Sequence, residues 1–124
     1  MLSLRPINIS LIAHWLLDYS KKSKDYTFPV KGDEILGIYL NEKLIGYFIG
    51  HTEGNDLWIR QGYLEREYQF SDIPKLAVNH FCDLAKLVGF NEVYCMSRRP
   101  YRSYKKLMDL LNFKTEYVVY KRQI

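Results

Sequence analysis

The stretch "LWIRQGYLEREYQFSDIPKLAVNHFCDLAKLVGFNEVYC", Leu57 to Cys95, changes its period in the middle. Leu57 and Ile59 alternate with polar neighbours, with Gln61 as a third member of the same face. That is the period of two of a strand. From Ile73 onward the apolar residues return at Leu76, Ala77, Phe81, Leu84, Ala85 and Val88, which is the period of a helix. Ser71 or Asp72 can start that helix and Gly89 can stop it. "NEVYCMS" then reads as another strand. Strand, helix and strand in this order suit an α/β sheet of mixed strand direction.

The same reading extends outward in both directions. "LSLRPI" is a short alternating run, a strand over Leu2–Ile7. "NISLIAHWLLDYSKK" is a helix, capped by Asn8 or Ser10, with Leu11, Ile12, Trp15, Leu16 and Tyr19 on one face. "ILGIYL" and "LIGYFIG" are strands around the short turn "NEK", and "HTEGND" is a second turn before Leu57. Three consecutive strands favour a meander. Toward the end, "YRSYKKLMDLLN" reads as a helix with Leu107, Leu110 and Leu111 as its apolar stripe. "FKTEYVVYKR" reads as a closing strand. The order β-α-β-β-β-α-β-α-β is that of a single α/β domain over residues 1–124, a mixed sheet with helices on both faces.

Bulk composition narrows the function classes. The 124 residues suit one core. The net charge is +4, yet five cations (Arg98, Arg99, Arg102, Lys105 and Lys106) fall within nine residues, so the rest of the chain is near neutral. This basic character is local and suits an anion or an acidic surface. Eleven tyrosines supply most of the 15% aromatic content. Cys82 and Cys95 lack metal-ligand spacing and read as reduced thiols, one on a helix and one on a strand. No apolar run reaches membrane-spanning length and "MLSLRPINIS" has no leader pattern, so a cytoplasmic protein that does not enter membranes is expected. No P-loop or dinucleotide fingerprint is present. His14 and His80 read as packing histidines, and His51 as part of a turn.

The element order, the "NEKLIGYFIGHTE" hairpin, the helix-turn-strand ending in "LVGFNEVYC" and the close "VYCMSRRPYRSYKKLMDLLNFKTEYVVYKR" together resemble the GCN5-related N-acetyltransferase (GNAT) fold. In that close, "LNF" stands for the family's leucine-glycine-phenylalanine. The resemblance spans essentially the whole chain and implies acetyl-CoA as cofactor. It also implies three site elements. A glycine turn of the form Q/R-x-x-G-x-G/A would bind the CoA pyrophosphate through backbone N–H groups and a helix start. Here Gln69 matches its first position, but Asp72 and Pro74 replace the glycines. Gln69, Ser71 and Asp72 are thus the cofactor-binding candidates. A tyrosine five residues before the closing phenylalanine would protonate the thiolate; that position is Met108, and Tyr104 lies one turn earlier. A general base would come from Glu65 or Glu67 at the end of the third meander strand.

With the glycines and the acid absent, the reading is a degenerate, non-catalytic member that needs no cofactor: a binding or structural module. Small degenerate members occur among phage head and tail assembly proteins, so a virion assembly component is one implied setting. The alternative is an active N-acetyltransferase with an atypical cofactor loop. The basic-aromatic cluster of Arg98, Arg99, Tyr101, Arg102, Tyr104, Lys105 and Lys106 is the partner-binding candidate. Pro100 suits the first helical turn, so these cations gather at a helix start, where they oppose the helix dipole. An acidic protein surface is the first candidate partner, nucleic acid the second, and a further copy of the chain a third.

Overall fold

The computed structural model describes residues 1–22, 28–96, 101–115 and 121–123, with the backbone alone for 101–104. The strands are β1 (Leu2–Pro6), β2 (Glu34–Leu40), β3 (Lys43–Glu53), β4 (Asp56–Leu64) and β5 (Val93–Cys95). The helices are α1 (Ala13–Lys22), α2 (Ile73–Leu87) and α3 (Tyr101–Leu110). The sheet runs in chain order from β1 to β5. β1 to β4 pair antiparallel as a meander, and β5 lies parallel to β4. That parallel pair needs a long crossover, and α2 supplies it. The closing strand expected from "FKTEYVVYKR" rests on 116–120, outside the described residues.

β3 is the centre and is buried on both faces. Tyr47 and Ile49 point to one side, where Ile12, Trp15 and Leu16 cover them. Phe48 points to the other, where α2 brings Ala77, Val78 and Phe81. The Phe48 and Phe81 rings meet edge to face with centroids 5.3 Å apart. Two bulges break the alternation. Ile38 pairs with Gly46 and Tyr39 with Leu44, so Ile45 is an extra residue and joins Phe48 on the α2 side. Ile49 pairs with Gln61 and Gly50 with Ile59, so Arg60 is extra in β4. Gln61 therefore leaves the face of Leu57 and Ile59. Its amide donates to the buried Tyr47 hydroxyl on the α1 side. The expected shared face of Leu57, Ile59 and Gln61 is corrected by that one inserted residue.

Three helix faces also differ from expectation. On α2 the buried residues are Ala77, Val78, Phe81 and Ala85, while Leu76 is 46% exposed and Leu84 and Val88 face water. The buried arc is thus rotated away from the leucine stripe, because small residues let the helix sit close to the sheet. At α1 and the turn before it, Leu11 is exposed and Ile12, Trp15 and Leu16 carry the core. On α3 Leu107 and Leu110 are exposed, and Leu111 and Phe113 reach the core instead. Helix α2 ends at Gly89 with φ of 105°. Beyond α3, Asn112 takes φ of 63° and the Phe113 N–H donates to the Met108 carbonyl at 2.9 Å. Asparagine tolerates this left-handed turn, so Asn112 does in "LNF" what glycine would do.

Candidate functional site

The ladder between β4 and β5 is three pairs long: Leu57 with Val93, Trp58 with Tyr94, and Ile59 with Cys95. The Trp58 and Tyr94 rings stack across it, 5.0 Å between centroids. The next residue of β4 is the bulged Arg60, where a strand bends and twists more strongly. From there β4 runs on to Leu64, past the last pair of that ladder. The carboxyl ends of two parallel strands and the start of the helix between them come together here. In α/β sheets that is where ligands bind.

The start of α2 determines what such a ligand would meet. Ser71 Oγ donates to the Tyr68 carbonyl at 2.7 Å and accepts the Ile73 N–H at 3.2 Å. Pro74 has no N–H, and the Leu76 N–H goes to the Asp72 carbonyl at 3.1 Å. The helix-start donors at 73, 74 and 76 are therefore used internally or missing. Asp72 has helical backbone angles, and its carboxylate makes no capping bond. It complements the helix dipole as a negative charge. The same charge repels a phosphate. Gln69 is a structural fastener: its amide donates to the Leu64 carbonyl at 2.8 Å. Phe70, 93% exposed, stands beside it.

Glu65 follows β4 directly. Its N–H is fixed to the Ile45 carbonyl at 2.9 Å, so the bulged residue of β3 holds it in place. Its Oε1 is buried and has no hydrogen-bond partner among the described residues. A buried carboxylate oxygen without a donor is costly unless a ligand or water supplies one. Tyr63 lies next to it, stacked on Tyr47 with centroids 5.6 Å apart and against Trp15 at 5.3 Å. Burial raises the Tyr63 hydroxyl pKa, and the carboxylates of Glu65 and Asp18 raise it further. Glu67 instead faces water and reaches Lys43 at 3.7 Å. Of the two glutamates, Glu65 alone has a buried carboxylate oxygen without a donor among the described residues.

The basic cluster divides. Arg98 and Arg99 lie outside the described residues, and Tyr101, Arg102 and Tyr104 are described by backbone alone, in the first turn of α3. Lys105 pairs with Asp109 at 2.8 Å, and Lys106 is exposed. Met108 is half-buried and carries no acidic proton. His14 and His80 are exposed, so neither is a packing histidine; His14 lies against Trp15 with centroids 4.8 Å apart. Cys82 and Cys95 are both half-buried and outside any disulfide, and burial raises the Cys82 pKa, with Asp83 adding to it. Among the described residues no group of acidic, cysteine and histidine side chains could hold a metal, and no helix is long and apolar enough to cross a membrane.

One constellation was not expected from the sequence. His51 sits within β3, opposite Trp58, and not in a turn. Its Nδ1 is 2.7 Å from Asp33 Oδ1 and its Nε2 is 3.0 Å from Glu53 Oε2. Asp33 Oδ2 accepts Arg60 at 2.5 Å and the Val30 N–H at 2.9 Å. The spacing of His51 and Glu53, two apart on a strand, was a visible sign that they share a face. Asp33 and Arg60 gave no such sign, since the partners are 27 positions apart.

No protein-family model matches the chain, and a search of curated proteins finds no match. Solved structures do match. The Bacillus subtilis protein YycN, assigned as an acetyltransferase, superposes with a TM-score of 0.78 at 17% identity, covering 100% of this chain and 99% of that one. A ribosomal-protein-alanine N-acetyltransferase from Brucella melitensis gives 0.71 at 14% identity, covering 100% of both chains. The aminoglycoside acetyltransferase AAC(6')-Iy, solved with a CoA-containing bisubstrate analogue, gives 0.68 at 11% identity over 100% of this chain and 99% of that one. At these identities the likeness speaks to architecture: the chain has the fold of the GCN5-related N-acetyltransferases, a mixed α/β sheet with helices on both faces.

Proposed function

We propose that the chain uses this fold as a binding or structural module and does not carry out CoA-dependent acetyl transfer. The start of α2 carries the reading. Ser71 occupies the Ile73 N–H, Pro74 offers none, and Asp72 adds a negative charge where a pyrophosphate would sit. These residues do not fit the polyanion that the fold's glycine turn accommodates. Met108 in place of an acidic hydroxyl points the same way. The partner proposed is an acidic protein surface, met by Arg98, Arg99 and Arg102 with Lys106; the local charge of the sequence supports it. A phage virion is the setting in which such a module is proposed to act.

A second reading has its own support. The Glu65 oxygen, without a donor among the described residues, lies just past the carboxyl end of β4, where an amine would find a proton acceptor. AAC(6')-Iy, of the same fold, was solved with a CoA-containing analogue. On this reading the chain is an acetyl-CoA-dependent N-acetyltransferase that holds its cofactor without the usual turn.

Thermal melting with acetyl-CoA and with free CoA separates the two. A ligand that binds only the native state raises the melting temperature by mass action. The module reading expects no shift at millimolar CoA. A saturable rise, with release of free thiol when amines are added, overturns it. Binding to polyglutamate and to duplex DNA, compared at low and moderate salt, then tests the partner class. Retention on DNA alone would reject the acidic protein surface.

A further inference from the structure

His51 has a carboxylate on each ring nitrogen: Asp33 at 2.7 Å and Glu53 at 3.0 Å. A neutral imidazole has one N–H and one lone pair. Whichever tautomer forms, the lone pair would face an anionic oxygen at hydrogen-bonding distance. Only the doubly protonated ring donates to both. The charged groups that face it among the described residues are Asp33 from the segment before β2, Glu53 from β3 itself, and Arg60 from β4, whose guanidinium shares Asp33. With His51 charged this set of four is neutral, and with His51 neutral it carries a net negative charge. The two hydrogen bonds, Glu53's first and Asp33's second, hold the His51 pKa above the ordinary imidazole value.

The two carboxylates are not equivalent. The Asp33 side chain is fully buried and keeps Arg60 and the Val30 N–H whatever the ring does. The Glu53 side chain is 77% exposed and stands at the end of β3, beside the turn at Gly54, whose φ is 59°. When the proton leaves, the contact to give way is the exposed one.

We propose that Asp33, His51 and Glu53 form a proton-operated clasp: charged His51 holds the Asp33 carboxylate of the segment before β2 and the Glu53 carboxylate at the end of β3 at once, and loss of the proton frees the Glu53 side chain while Asp33 keeps Arg60. Arg60 is the bulged residue of β4, next after Ile59, the last residue of its ladder with β5. Release of Glu53 thus changes the hairpin end as the imidazole titrates and leaves the bulged Arg60 held by Asp33. This inference is independent of whether the chain binds CoA.

The test is an NMR titration of the histidine ring signals and of the Gly54 amide. His51 is identified by the signal lost in His51→Gln. In the wild type, His51 is expected to titrate above the ordinary value of about 6.5, and the Gly54 amide is expected to move with the same midpoint. Glu53→Gln alters an exposed side chain and leaves the fold intact. It should lower the His51 midpoint and remove the linked movement of Gly54. His51→Gln should leave Gly54 insensitive to pH over that range. A His51 midpoint at or below the ordinary value overturns the proposal. So does an unchanged midpoint in Glu53→Gln, or a Gly54 amide that does not follow His51.

Discussion

Two glycines of β3 give a sharp test of how the strands carry the site. A Cβ built on Gly46 would lie 2.1 Å from the Tyr63 carbonyl oxygen and 3.0 Å from the Leu64 Cα, both backbone atoms of β4. A Cβ built on Gly50 would lie 3.5 Å from the Phe81 ring, an ordinary contact. Carbon and carbonyl oxygen come no closer than about 3.3 Å without cost, so Gly46→Ala must push β4 away by roughly 1 Å. Neighbouring ladder hydrogen bonds contribute about 1 kcal/mol each, and the well-packed Leu64 has to shift, so about 3 kcal/mol is lost. For a chain of this size that lowers the melting temperature by roughly 12 °C, at about 4 °C per kcal/mol. Gly50→Ala should stay within about 1 kcal/mol of the wild type, on either side, since alanine also restricts the unfolded chain. The unfolded-state gain is common to both variants, so their difference isolates the contact. Melting followed by circular dichroism decides it. If Gly46→Ala and Gly50→Ala melt within 3 °C of each other, the close approach of β3 and β4 at Tyr63 is not as described. The displacement would also fall on Leu64 and Glu65, so partner or ligand binding at the strand end should weaken in Gly46→Ala alone.

Further outcomes follow from the same contacts. Phe81→Ala removes a ring that packs on Phe48 and should cost about 3–5 kcal/mol, read as a drop in the denaturation midpoint. His51 has a raised pKa when folded, so its contribution is complete below the unfolded value of about 6.5 and is lost as pH rises through the folded one. Melting temperature should therefore fall over that window in the wild type, and less in Glu53→Gln; equal slopes would contradict the clasp. Asp72→Gly combined with Pro74→Ala removes a charge and restores a donor at the start of α2. The charge alone should be worth about 1 kcal/mol, roughly fivefold in affinity, at this exposed position. The double variant is expected to show a CoA-dependent melting shift larger than the wild type's, and an identical response would show that the helix start is not what excludes CoA. Lys105→Ala breaks an exposed pair with Asp109 and should change stability by no more than about 0.5 kcal/mol.

Periodicity made the element order readable, because burial on a strand and on a helix leaves different spacings in the sequence. It was less informative about faces. In β4 the single extra residue Arg60 moves Gln61 to the opposite side of the sheet, and nothing punctuates the sequence there. In β3 Ile45 does the same, hidden in an unbroken apolar run. On α2 the arc from Leu76 to Val88 was too apolar for spacing alone to orient, and packing placed Ala77 and Ala85 inward, where a leucine would hold the helix off the sheet.

The site shows the same limit in another form. Asp72 and Pro74 were legible as departures from a glycine turn, because residue type alone removes a donor or adds a charge. The roles of Ser71 and Gln69 were not, since both have polar side chains that suit a ligand equally well. In the fold Ser71 takes the Ile73 N–H and Gln69 closes onto the Leu64 carbonyl, so both are spent on the turn that leads into α2. Glu65 stands at the other extreme. Its backbone is fixed and its buried Oε1 has no donor among the described residues. A partner proposed for this strand end would satisfy that oxygen with a donor such as an amine or a backbone N–H. The Asp72 charge at the helix start would likewise disfavour an anion in such a partner, so the acidic surface proposed above is assigned to the basic cluster and not to this end of the sheet.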